Sequence, residues 1–356
     1  MSEHSLCIKV KKVNGEKTLV LAKKLGLTNR KLKIQQDTNH LYIPFVRQPE
    51  EAELANLKAQ LSDFELETKV FPKKKTRPKT LQQVLENQLP PNLLAALPRA
   101  LDIIGDIVVI DIPPELKTHK HIIGDALLKT YKNMRTVLAK VGAVTGTYRL
   151  RELEVIAGEN RTTTVHKEHG CQYHVDVATA YFSPRLSTEH NRVATLVQEG
   201  ETVVDLFAGV GPFSVLIAKK NANVNVYAVD INPEAVEFLK RNIRINRVDT
   251  RVTPILGDAG QAVEKRLLGV ADRVIMNLPE KAVEFVDAAC KALKPAGGIV
   301  HYYTFIRLPD SLEAAQLRFS EAVEKTGRKV EAVLSAKNIR ETAPYEFQIV
   351  LDAKIL

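Results

Sequence analysis

A chain of 356 residues, 45% of them hydrophobic, is long enough for two or three domains and can bury a sizeable core. It holds no apolar run near the roughly 18 residues of a membrane span and no charged-then-apolar leader, which argues against insertion or secretion and for a cytoplasmic protein. Three widely spaced cysteines (Cys7, Cys171, Cys290) suit a reducing compartment and give no disulfide framework; none of the nine histidines has metal-ligand spacing, so no metal is expected. The net charge of +9 is concentrated: residues 1–80 carry 17 Lys+Arg against 9 Asp+Glu, whereas the remainder is almost balanced at 34 against 33. A basic appendage suits a polyanionic partner such as nucleic acid, the alternative being a solubilising face.

In chain order, residues 1–72 read as a small basic α+β unit. SLCIKVKK alternates as a strand, GEKTLVLAKKLGL is a helix closed by Gly26, and KLKIQQDTNHLYIPF is a hairpin turning near Asp37–Asn39. A short helix over 50–61 and the strand FELETKVF follow, then a Lys/Arg/Pro-rich linker over 73–80. A second α+β region spans 81–180: LQQVLENQL is an amphipathic helix, residues 92–113 give a helix and one strong strand, and 119–141 a long helix. GTYRLRELEVIAGEN, TTTVHKEHGCQYHVDV and TAYFSPR read as strands, the first placing Arg149, Arg151 and Leu153 on one face. Charged pairs facing solvent would explain that face equally well. Before the helix RVATLVQE, Ser187 or Thr188 can act as the cap, and Glu189 falls in the first turn, where the helix dipole favours a carboxylate whatever its function.

The catalytic third domain is expected over 181–356. Its most informative stretch is TVVDLFAGVGPF (202–213), a buried strand ending at Asp205 that turns through Gly209 and Gly211 into a helix. A dinucleotide site usually carries a third glycine where this chain has Ser214, so the turn suits S-adenosylmethionine (SAM) better than NAD. The next strand ends at Asp230, able to accept ribose hydroxyls; it could instead cap the following helix, although Asn232 can do that. RVTPILGDA brings Asp258 to a third strand end, and ADRVIMNLP brings Asn277-Leu278-Pro279 to a fourth. Helices over 212–220, 233–246, 259–268 and 281–294 separate these strands. After GGIVHYYTF and a helix near 311–326, KVEAVLSAKNI and YEFQIVLDAKI form an antiparallel hairpin. The pattern predicts a seven-stranded, mostly parallel class I methyltransferase fold, with its ligand outside the carboxyl ends of the strands.

YRLRELEVIAGEN, DVATAYFSPRLSTEHNR, DLFAGVGPF, VYAVDINP, LGDA, MNLP and GGIVHYYTF together resemble the archaeal and eukaryotic tRNA (guanine-N1)-methyltransferases, closely over about residues 145–305. The resemblance implies methylation of N1 of guanosine at tRNA position 37, with Glu189 as general base, Arg149 stabilising O6, and Asn277 and Pro279 holding the guanine edge. It implies a SAM site made by Asp205, Phe207, Gly209, Gly211, Asp230, Ile231, Asp258, Ala259 and Asn277. Tyr181, Arg185, His190 and Arg151 become tRNA contacts, although the family motif also allows Arg or Lys where this chain has His190. The N-terminal unit would dock on the tRNA elbow while the catalytic pocket receives the anticodon loop. A monomer without an obligate protein partner is expected. Two alternatives are an aminocarboxypropyl transferase of wybutosine synthesis on the same fold, for which a base beside N1 has no evident purpose, and a non-catalytic RNA-binding module with a disused SAM fold.

Overall fold

The structure, a computed structural model, describes residues 2–61, 63–74, 80–146, 148 and 150–356. Arg149 and most of the linker expected over 73–80 therefore lie outside the described residues. The chain divides into two compact units, Met1–Lys79 and Thr80–Leu356.

In the first unit, β1 (Ser2–Lys11), α1 (Gly15–Lys24), β2 (Gln35–Gln36), β3 (His40–Pro44), α2 (Glu51–Gln60) and β4 (Glu65–Pro72) form an antiparallel sheet of order β2-β3-β1-β4 with two helices. Alternation in β1 sends Ile8 and Val10 into a core with Leu21, Leu27, Ile43, Phe45 and Leu57. The β2–β3 turn is fixed by Asp37, whose carboxylate accepts the amides of Asn39 and His40 and the hydroxyl of Tyr42.

The second unit begins with α3 (Leu81–Leu85), α4 (Pro91–Ala95), β5 (Leu101–Ile104), β6 (Ile107–Ile110), α5 (Lys120–Thr130), β7 (Thr136–Thr145) and β8 (Leu150–Gly158), the strands forming a sheet of order β5-β6-β7-β8. Several sequence expectations are corrected here. The single strand before residue 113 is a hairpin, because Gly105 adopts φ +57° and turns the chain between β5 and β6. The helix expected over 119–141 stops at Thr130; the β-branched run from Thr136 instead pairs in parallel with β6. The hairpin β9 (Thr163–Glu168) and β10 (Cys171–Asp176) follows. TAYFSPR is not a strand: it passes through irregular backbone into a 3₁₀ turn, Pro184–Leu186, that runs directly into α6 (Ser187–Leu196). Consequently neither Ser187 nor Thr188 caps the helix; Leu186 holds that position, and the Ser187 hydroxyl meets His169 instead.

The remaining elements are β11 (Thr202–Asp205), α7 (Pro212–Lys220), β12 (Asn225–Asp230), α8 (Pro233–Ile245), β13 (Val252–Leu256), α9 (Ala259–Ala262) with a π-helical turn, Val263–Leu267, β14 (Arg273–Met276), α10 (Val286–Ala292), β15 (Gly298–Arg307), α11 (Leu312–Glu324), β16 (Val330–Ala343) and β17 (Glu346–Ile355). They build one seven-stranded sheet of order β13-β12-β11-β14-β15-β17-β16. Five strands are parallel, and β17 lies antiparallel between β15 and β16, as the sequence predicts. Both faces are covered, which is why these strands read as continuous apolar runs. Val204, Val274, Val300 and Leu351 face α10 and α11. Val203, Ile275, Tyr303 and Val350 share the opposite core with Phe213 of α7 and also with Ile104, Ile107 and Leu138 of the preceding sheet. The expected boundary near residue 181 thus crosses a continuous core.

Candidate active site

Strands β11, β12, β13 and β14 are parallel neighbours, so their carboxyl ends gather on one edge. There a cavity of about 330 Å³ opens, lined by Phe207, Gly209, Asp230, Ile231, Asp258, Ala259 and Asn277 of the expected SAM set, together with Tyr181. Gly211 shapes it from behind: at φ +92° it starts α7, and a Cβ there would stand 2.5 Å from Leu239 Cδ1. Asp230 braces the rim. Its carboxylate accepts the Gly209 amide at 2.7 Å and the Asn232 amide at 2.9 Å, while Asn232 caps α8 by accepting the Glu234 amide. Burial raises the Asp230 pKa, with these backbone donors opposing the shift. Phe207 meets Phe285 edge to face at 5.0 Å, giving the cavity an aromatic wall of which the sequence reading assigned Phe207 but not Phe285.

This donor set fits SAM. An apolar slot between Phe207, Ile231, Ala259 and Phe285 suits an adenine ring, and carboxylates at two strand ends suit the ribose diol and the adenine amino group. Besides Gly211, Asp205 is the expected contact that lines no part of the cavity, and it is completely buried. Ser214 donates to one of its oxygens at 2.7 Å, and the other has no hydrogen-bond partner among the described residues. Burial lifts its pKa to about 7. Because that folded value exceeds the ordinary 3.8 of an unfolded aspartate, the folded state keeps a proton that the unfolded state releases between the two values. This group therefore makes stability fall as pH rises from about 4 to about 7, and level above. Melting curves of the wild type and Asp205→Asn should accordingly diverge over that window, the variant gaining relative stability as pH rises; parallel curves would contradict this.

A second cavity of about 340 Å³ adjoins the first, sharing Tyr181 and Glu280, and contains Arg151 and Arg185. Arg185 Nε donates to Asp102 at 2.6 Å, and Lys140 reaches the same carboxylate. Arg340, on β16, donates to Ser183 and Tyr181 on the approach to α6 and to Gln348 on β17; Gln348 in turn donates to Asn277 at 3.4 Å. Pro279 is buried, its carbonyl accepting the Thr304 hydroxyl.

Glu189 lines neither cavity and is only 3% exposed. Its carboxylate accepts from the Arg192 guanidinium, with Nε at 2.9 Å from Oε2, and from the Tyr303 hydroxyl at 2.7 Å; Lys337 Nζ stands 3.4 Å away. Burial pushes its pKa up, but Arg192 and Tyr303 outweigh that and hold it below the usual carboxylate range. His190 is corrected as a tRNA contact: it is 1% exposed, packed edge-on against Phe213 and bonded to Glu168 at 2.7 Å. The core position follows from helical phase, since His190 shares the inward face of α6 with Val193 and Ala194.

The sheet order, the glycine turn and the polar residue at each strand end define a class I SAM-dependent methyltransferase. The model of the TRM5/TYW2 methyltransferase domain matches residues 164–333, that of the TYW2 N-terminal domain 81–162, and that of the tRNA methyltransferase 5 N-terminal domain 7–53. The tRNA (guanine(37)-N(1))-methyltransferase Trm5b of Pyrococcus abyssi is 40% identical over 99% of both chains. A Trm5 structure solved in complex with tRNALeu superposes with a TM-score of 0.80 at 35% identity, covering 99% of this chain and all of that one. TYW2 of P. horikoshii, solved with MeSAdo, gives 0.65 at 30% identity and covers 78% of this chain and 98% of its own. The chain belongs to the TRM5/TYW2 methyltransferase family. Among the described residues no helix is long and apolar enough to cross a membrane, and no cluster of His, Cys, Asp or Glu is arranged to hold a metal.

Proposed function

We propose that the protein is a cytoplasmic SAM-dependent methyltransferase acting on N1 of guanosine 37 of tRNA. Full-length likeness to Trm5b, including the N-terminal unit, carries this reading over aminocarboxypropyl transfer. Bound SAM supplies a methyl group activated by a positively charged sulfur.

Guanine N1 bears a proton at neutral pH and becomes nucleophilic when that proton leaves. Glu189 takes the N1 proton, which leaves the N1 electron pair free to act as the nucleophile toward the methyl donor. In the free protein Glu189 is fully partnered, so receiving guanine exchanges one partner; Lys337 at 3.4 Å is the loosest. Arg149 stabilises charge on O6, and Asn277 with Pro279 holds the base edge. Tyr181, Arg151 and Arg185 meet the nucleotides beside the flipped base, a role suited to aromatic and guanidinium planes. The SAM contacts are Phe207, Gly209, Asp230, Ile231, Asp258, Ala259 and Asn277; Gly211 shapes their turn, and Asp205 supports it from inside the core. Residues 1–72 form a separate basic domain that docks on the tRNA elbow, 73–80 a linker, 81–180 a substrate-recognition domain, and 181–356 the catalytic domain. The protein works as a monomer.

By-product analysis separates the two group transfers. With unmodified tRNA the reaction should release S-adenosylhomocysteine; methylthioadenosine in its place would identify aminocarboxypropyl transfer and overturn the reading.

A further inference from the structure

Glu189 is one end of a buried chain of charges that leads away from both cavities. The Arg192 guanidinium bridges Glu189 to Asp352 on β17. Asp352 is bonded to His301 Nδ1 at 2.6 Å, and these two residues are direct cross-strand partners in the β15–β17 register. Arg273 on β14 donates to His301 Nε2 at 2.9 Å, which makes Nε2 the acceptor and Nδ1–H the donor to Asp352. Arg273 then forks onto Glu201 at 2.7 and 2.8 Å. With Lys337 the set holds three cations and three carboxylates around a fully buried imidazole, which burial keeps neutral.

We propose that Arg192 and Asp352, backed by His301 and Arg273, are positioning residues for methyl transfer that hold the Glu189 carboxylate ionised and in one orientation. The inference rests on Glu189 being the base. A single carboxylate would leave the guanidinium free to turn; two carboxylates on different elements fix its plane, and the strand register fixes the second of them. The groups facing Glu189 come from every element packed on it: Arg192 from α6, Tyr303 from β15, Lys337 from β16 and, through Arg192, Asp352 from β17. Without the Arg192 charge, burial dominates and Glu189 takes a proton more readily. The base then works only at higher pH.

The test uses the full chain with saturating SAM and a guanosine-37 transcript, comparing Arg192→Gln, Arg192→Lys, Asp352→Asn and Glu189→Gln. Asp352→Asn should lower kcat about tenfold while KM for SAM and tRNA stays within about twofold, the pattern of a misplaced base. Arg192→Gln should acquire an acid limb, losing at least about tenfold more rate near pH 6 than near pH 8.5; Arg192→Lys, which keeps the charge, should not. Melting temperature and SAM binding by calorimetry report folding, and if Arg192→Gln does not fold, the nearly isosteric Asp352→Asn decides. Wild-type kcat and pH profile in folded variants, beside an inactive Glu189→Gln, would overturn the relay alone. Loss of SAM binding in step with kcat would reduce it to structural support. An active Glu189→Gln would remove the base reading itself, and the relay with it.

Discussion

Replacing Glu189 by Gln is expected to lower kcat for methyl transfer by about 10²-fold or more, with SAM affinity unchanged within about twofold. The amide keeps the side chain's size and still accepts from Tyr303, but it cannot take the N1 proton. Because Glu189 lies outside the SAM cavity, its loss should leave cofactor binding alone. Some stability will also go, since Arg192 is left with Asp352 as its remaining carboxylate; the melting temperature measures that separately. Tyr303→Phe is the companion variant. It removes one hydrogen bond to the carboxylate and spares the charge, so its effect on kcat should be much smaller than that of the glutamine. Equal rates for wild type and Glu189→Gln, in single-turnover assays at matched SAM saturation, would refute the base assignment.

The second large effect is expected at the cofactor. Asp230→Ala removes the acceptor for two rim amides, Gly209 and Asn232, as well as the group offered to the ribose. Charge-assisted hydrogen bonds contribute roughly 1.5–3 kcal/mol each, so SAM affinity should fall by about 10²-fold at the least. Asp230→Asn, with one acceptor oxygen, should fall between. Calorimetric titration with SAM measures this directly. Unchanged affinity in Asp230→Ala would mean that the ribose is held elsewhere and that Asp230 serves only the turn.

The catalytic sheet was legible because its strands, covered on both faces, read as apolar runs punctuated by Asp205, Asp230, Asp258 and Asn277, with Gly209 and Gly211 marking the turn. Upstream the signal was weaker. Gly105-Asp106 is a two-residue turn inside one apolar stretch, and β7 follows α5 so closely that the change from helical to alternating period was hidden. At the site, spacing in the sequence could nominate Glu189 but not its surroundings. Arg192, Tyr303 and Lys337 meet it from three elements, with Asp352 of a fourth behind Arg192, and their meeting depends on cross-strand register. An aspartate inside the apolar run of β17 was one available hint. His190 shows the converse: the family resemblance implied a tRNA contact there, whereas helical phase turns the side chain into the core.

The measurement that bears most directly on the proposed activity is nucleoside analysis of tRNA transcripts incubated with the protein and tritiated-methyl SAM, one transcript carrying guanosine at position 37 and the other adenosine. The expected result is 1-methylguanosine from the guanosine transcript alone. Label on another nucleoside, or none on tRNA while SAM still binds, would contradict it.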